Sequence, residues 1–141
     1  MFSKPEFGWV NISIDNWTDR ASYLTSPHLD MLDALINLFS TYNPQCILCD
    51  AEGWEYYLII NFDAVFVIKQ EDTNTLYSFD KRARDIADEV ISDIEKNIYE
   101  WSLWNYNVEN DEEIKKEKEK IEEKIKTLKN TLNLYDKKHK R

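Results

Sequence analysis

Two neighbouring segments, 56–60 (Tyr-Tyr-Leu-Ile-Ile) and 65–68 (Val-Phe-Val-Ile), are apolar at every position instead of at every second one. Successive side chains of a strand point to opposite faces, so strands of this composition belong to a sheet that is covered on both sides. One cover has to be helical. The other falls to a partner or to the C-terminal part of the chain. Both runs are far shorter than the roughly 20 apolar residues that cross a bilayer, and the opening Met-Phe-Ser-Lys-Pro-Glu has no apolar run of the signal-peptide kind. The expected location is the cytoplasm, without membrane association.

The segments around these two set out the remaining elements. Residues 7–14 (Phe-Gly-Trp-Val-Asn-Ile-Ser-Ile) alternate, with Val10, Ile12 and Ile14 on one face, which predicts a half-buried strand. Asp15-Asn16 turns the chain, and 17–24 returns antiparallel. Ser26-Pro27 reads as a helix start, with leucines and Phe39 at helical spacing behind it, and Asn43-Pro44 as its stop. Strands are then expected over 46–50, 54–61 and 64–70, joined by Glu52-Gly53 and Phe62-Asp63, with a further turn at 72–74. Ser78 or Asp80 is expected to cap a long helix running to about Trp104. Its stripe is Ala83, Ile86, Ala87, Val90, Ile91, Ile94, Ile98 and Trp101, and its opposite side carries Asp85, Asp88, Glu89, Asp93 and Glu95. After a break at 105–110, residues 111 to about 138 form a Lys/Glu helix with a thin seam at Ile114, Ile121, Ile125, Leu128, Leu132 and Tyr135. That seam is coiled-coil-like, with Lys118 at one of its positions. The fold class is therefore α+β: an antiparallel β-meander of about five strands packed against helices, with a long C-terminal helical extension.

Charge divides the chain at the same place. Residues 1–108 hold 18 acids against 7 bases, a net of −11, and 109–141 hold 9 acids against 11 bases, a net of +2, which together make the −9 of the whole chain. The expected organisation is an acidic α+β domain over 1–108 and a C-terminal helix over 109–141 that either packs on it or self-associates. An acidic surface repels phosphate backbones and attracts basic proteins, so no nucleic-acid partner is expected. The closing Lys-Lys-His-Lys-Arg complements the dipole of the helix it ends.

The chemical inventory is thin. Cys46 and Cys49 form a C-x-x-C inside a strand, where positions three apart face opposite ways and share neither a metal nor a disulfide. With two histidines and two glycines in all, neither an activated nucleophile nor a phosphate-cradling loop can be assembled. Asp50, Glu52 and Glu55 cluster on one hairpin, the only set suited to acid–base work or a hard cation, but solvated turn carboxylates are the simpler account. Neither catalysis nor a cofactor nor a bound metal is expected. The aromatic run Tyr99, Trp101, Trp104 and Tyr106 is expected to pack against the C-terminal helix.

The motifs Phe7-Gly-Trp-Val-Asn-Ile-Ser-Ile, Ser22-Tyr-Leu-Thr-Ser-Pro with Leu29-Asp-Met-Leu-Asp-Ala-Leu-Ile, and Asp50-Ala-Glu-Gly-Trp-Glu-Tyr-Tyr-Leu resemble small bacterial immunity proteins of polymorphic toxin and contact-dependent growth inhibition systems. The resemblance covers residues 7–104 and leaves the Lys/Glu helix outside it. It implies a non-catalytic α+β domain that binds and occludes a cognate protein toxin. Many such toxins are nucleases with basic clefts, to which an acidic inhibitor is the electrostatic complement. Candidate contacts are Asp85, Asp88, Glu89 and Asp93 on the long helix, or Asp50, Glu52 and Glu55 on the hairpin, around an aromatic anchor at Trp54 or Tyr57. The alternative is a non-enzymatic adaptor that homodimerises through the helix over 111–138.

Overall fold

The computed structural model describes residues 1–105 and 110–139. Its elements are strands β1 (Trp9–Ile14) and β2 (Trp17–Ser22), helix α1 (Pro27–Thr41), strands β3 (Gln45–Asp50), β4 (Glu55–Ile60), β5 (Val65–Gln70) and β6 (Asn74–Phe79), and helices α2 (Ala83–Lys96), α3 (Ile98–Ser102) and α4 (Asp111–Lys138). The class is α+β. β1 and β2 form a two-stranded sheet, and β3-β4-β5-β6 is an antiparallel meander.

Short connections set this topology. Phe7-Gly8 is a two-residue turn closed by reciprocal Glu6 and Trp9 backbone bonds of 2.9 Å. Both of its residues have positive φ, and a Cβ at Gly8 would stand 3.1 Å from the Tyr23 ring, so glycine is required there. Glu52-Gly53 closes the β3–β4 hairpin in the same left-handed region, with the Ala51 N–H donating to Trp54 O. Pro27 opens α1 as expected, but the Ser26 hydroxyl makes no cap bond, and Tyr42 ends the helix in the left-handed conformation.

Three features depart from the sequence expectation. Residues 74–79 form a sixth strand, and α2 begins at Ala83, with Arg82 and neither Ser78 nor Asp80 at its N-cap. The expected single helix to Trp104 is two, broken at Asn97, because the apolar spacing Ile94, Ile98, Trp101 runs through the break and cannot report it. There are six strands in two sheets, not five in one.

The core lies on one side of the meander. Ile47, Cys49, Tyr56, Leu58, Ile60, Val65 and Val67 turn inward onto α1, α2 and the β1–β2 hairpin, where Trp17 meets the rings of Tyr56, Tyr77 and Phe79. The α4 seam joins the same core. Ile121, Ile125, Leu128 and Leu132 are buried, and α4 runs along α1 and α3. Leucine-sized side chains buried in this way contribute about 2 kcal/mol each. Asn110 caps α4, its side chain accepting the Glu113 N–H at 2.9 Å. Lys118 stays exposed at its seam position. Trp101 and Trp104 are buried in the same core as the α4 seam, with α3, which carries Trp101, against α4; they also pack on α1 and the N-terminal segment: Trp101 stacks on His28 at 4.3 Å and meets Phe2, and Trp104 Nε1 donates to Thr25 O. Tyr99 is exposed, and Tyr106 lies outside the described residues, as do Lys140 and Arg141 of the closing basic run. Among the described residues, no helix is long and apolar enough to cross a membrane.

Candidate functional site: an uncovered face of the meander

The strand registers define the face that turns away from the core. One cross-strand row is Cys46, Ile59, Phe66 and Ser78, and the next is Leu48, Tyr57, Ile68 and Leu76. Seven of these eight side chains are apolar. None is buried, none packs against the hydrophobic core, and Leu76 is 65% exposed. The helices and the β1–β2 hairpin all lie on the other side of the sheet. With strands ~4.8 Å apart and same-face rows ~6.8 Å apart, the two rows span roughly 260 Å² in projection. That is close to the ~300–600 Å² of the largest apolar patch on a typical monomer, a patch that is often the functional one.

A third row continues the face into charge. Asp50, Glu55, Gln70 and Asn74 pair across the strands, and the adjoining turns add Glu52, Glu71 and Asp72. Asp50 and Glu55 stand directly opposite each other, an arrangement that costs stability unless a cation answers it. The Asp50 carboxylate accepts the Glu52 N–H at 2.7 Å. Lys69, on the neighbouring strand, belongs to the inner face and bridges Asp19 at 3.1 Å and Glu71 at 3.7 Å. Burial opposes its charge, but these carboxylates hold its affinity for a proton above the ordinary lysine range.

The expected contact residues separate into two groups. Tyr57 sits in the middle of the open face, with Asp50, Glu52 and Glu55 at its acidic end. Trp54 is held inside the fold: Arg20 and Lys69 lie over its ring at 4.7 and 5.0 Å, and its Nε1 donates to the Asp19 carboxylate at 3.1 Å. The carboxylates of α2 are mostly partnered within the chain. Asp88 pairs with Arg84 at 2.7 Å, Glu89 with Lys81 at 2.8 Å, and Asp93 accepts from the Met1 amino group at 2.8 Å and the Phe2 N–H at 3.0 Å. Asp85 alone of the four is exposed with no hydrogen-bond or ion-pair partner for its carboxylate among the described residues. Arg84 further clamps Asp136 with two bonds of 3.0 and 2.9 Å, tying α2 to α4 and raising its proton affinity.

Asp50, Glu52 and Glu55 share a hairpin without converging, and among the described residues no three His, Cys, Asp or Glu side chains form a group able to hold a metal. The two thiols face opposite ways. Cys46 is exposed on the outer row, and Cys49 is buried, its thiol pushed up to about 12 by burial and then by the nearby Asp30 charge. The sequence signal for the open face was the unbroken apolar character of 56–60 and 65–68. Leu48, Leu76 and Cys46 gave no such signal, since only the registers place them beside Tyr57 and Ile68.

No protein-family model, no curated protein and no solved structure matches this chain.

Proposed function

We propose that the chain is an immunity protein that neutralises a cognate basic toxin, of nuclease type, by one-to-one occlusion in the cytoplasm. The observation that carries this reading is the uncovered apolar face of the meander, bordered at one end by Asp50, Glu52, Glu55, Glu71 and Asp72. Stable interfaces combine an apolar centre with a polar rim and bury about 800 Å² per partner. The two apolar rows supply the centre, and the carboxylates supply a rim for lysines and arginines. In this reading Tyr57 is the central anchor. Asp85, Asp88, Glu89 and Asp93 contribute the long-range field more than contacts, because three of the four already pair within the chain. Complementary charge of this kind raises association to about 10⁸ to 10⁹ M⁻¹s⁻¹ at low salt, which suits an inhibitor that must reach its toxin before damage is done.

Self-association through 111–138 has no observation in its favour, since its seam is buried against α1 and α3 of the same chain.

The test is capture from the source cell at low and high salt, followed by expression of the captured protein alone and together with this chain. Support is a basic protein, weakened by salt, that arrests growth alone and is harmless in combination. A captured protein that is harmless by itself, or one whose toxicity this chain leaves intact, refutes the proposal.

A further inference from the structure

Among the described residues, the outer edge of β6 has no neighbouring strand. β6 closes the order β3-β4-β5-β6, so its ladder to β5 uses one side of the strand only. Among the described residues, no backbone hydrogen bond outside that ladder involves residues 74–78. The opposite edge, on β3, likewise makes no backbone bond outside its ladder among the described residues, but β3 has β2 and α1 against it. Edge strands are normally blunted by a lysine, a proline, a bulge or extreme shortness, since a bare row of N–H and C=O groups is a template for another strand. β6 has none of these protections. Its six residues, Asn-Thr-Leu-Tyr-Ser-Phe, carry no charge and no proline, and its register with β5 is unbroken from Val65↔Phe79 to Gln70↔Asn74. Asn74, Thr75, Leu76 and Ser78 are exposed.

The chemistry at the two ends of β6 selects the occupant. Glu71 and Asp72 precede the strand and Asp80 follows it. Of the adjacent lysines, Lys69 spans Asp19 and Glu71, and Lys81 pairs with Glu89 at 2.8 Å and Asp15 at 3.9 Å, so neither answers Asp72 or Asp80. A second copy would bring another chain of charge −9 to this edge, and a self-pairing centred on Leu76 sets Asp72 opposite the other copy's Asp80. A basic strand meets these three carboxylates and one exposed cation, Arg82, so the charge balance at the edge still favours it. We propose that β6 is an edge to which a basic protein partner adds a fifth strand, with apolar side chains beside Leu76 on the open face and lysines or arginines against Glu71, Asp72 and Asp80. The added strand extends the row Leu48, Tyr57, Ile68, Leu76 by one place, so edge and face form one continuous docking surface. Only the identity of the partner rests on the inhibitor reading.

The probe is an acetylated nine-residue peptide alternating lysine and valine, added to the full chain, with amide hydrogen exchange read by mass. The expected result is about tenfold slower exchange confined to 74–79 and its β5 partners, lost at high salt and absent with the glutamate–valine counterpart. In an antiparallel ladder, one of two neighbouring residues turns its N–H to the partner strand and the next turns it outward. Thr75→Pro and Leu76→Pro, made singly, therefore separate ladder from edge, and one of the two should keep its melting temperature while losing the peptide effect. If both unfold, Leu76→Lys keeps the fold and must repel the basic peptide. Absence of slowing at 74–79, equal slowing by the acidic peptide, or a two-chain assembly already protecting β6 without peptide overturns the proposal. Peptide protection in a chain that neutralises no toxin removes the inhibitor and leaves the edge. Full neutralisation by the folded proline variant removes the edge and leaves the inhibitor.

Discussion

Acid should weaken this fold before its carboxylates titrate, because of His28. The ring is buried in the first turn of α1, stacked on Trp101 at 4.3 Å and edge-on to Trp104 at 5.9 Å, and among the described residues neither ring nitrogen has a hydrogen-bond partner. Burial, and then the Lys120 charge, push its pKa down from 6.5 to about 3. A histidine whose folded value lies below its unfolded value leaves stability intact above pH 6.5. As pH falls further, the unfolded chain takes up a proton that the folded chain refuses, and stability declines. Between pH 7.5 and 5 that loss is about 2 kcal/mol, at 1.36 kcal/mol per pH unit once the unfolded histidine titrates. For a chain of this size it corresponds to a melting temperature roughly 6 to 8 °C lower. The assay is urea unfolding followed by tryptophan fluorescence at half-unit steps over this window, for the native chain and for His28→Phe. The other histidine, His139, is exposed, so the variant should flatten the curve. A native chain equally stable at pH 7.5 and 5, or a His28→Phe variant with the same slope, would refute the assignment of the acid response to this ring.

Other outcomes follow from packing. Leu128→Ala in the α4 seam should destabilise the whole domain by about 2 to 4 kcal/mol in denaturant titration, as for a core leucine, whereas a tail that folds apart from the domain predicts no change. A thiol reagent should modify Cys46 readily and Cys49 only on unfolding, so native protein titrates one thiol per chain and denatured protein both. Gly8→Ala should cost about 1 to 2 kcal/mol by chemical denaturation, since positive φ and the Tyr23 ring both oppose a Cβ; a neutral substitution would contradict the turn.

The hairpins, α1, the three central strands and the amphipathic stripe of α2 were legible because each is a local pattern of spacing and punctuation. β6 was not. Its Leu76 points outward to solvent while Tyr77 and Phe79 point inward, so 74–79 shows no alternation of apolar and polar residues. The break at Asn97 was hidden by continuous apolar spacing across it. For the site, the apolar character of β4 and β5 already required a second cover, but which side the Lys/Glu helix takes depends on its contacts with α1 and α3, far apart in sequence. The confinement of Trp54 between Arg20 and Lys69, and the pairing of Asp93 with Met1, join residues 34 to 92 positions apart or strands two removed, which composition and period do not encode.

The most direct test of the uncovered face as the toxin-binding surface is protection of cells that express the captured toxin. Tyr57→Glu with Phe66→Glu places one charge on each outer row, not directly opposite each other and without touching the core, so the variant should remain folded and fail to protect. Asp85→Lys with Asp88→Lys, on α2, should protect as the native chain does, apart from weaker low-salt association. Protection by the folded face variant, with loss of protection in the helix variant, would contradict the account and return the binding surface to α2.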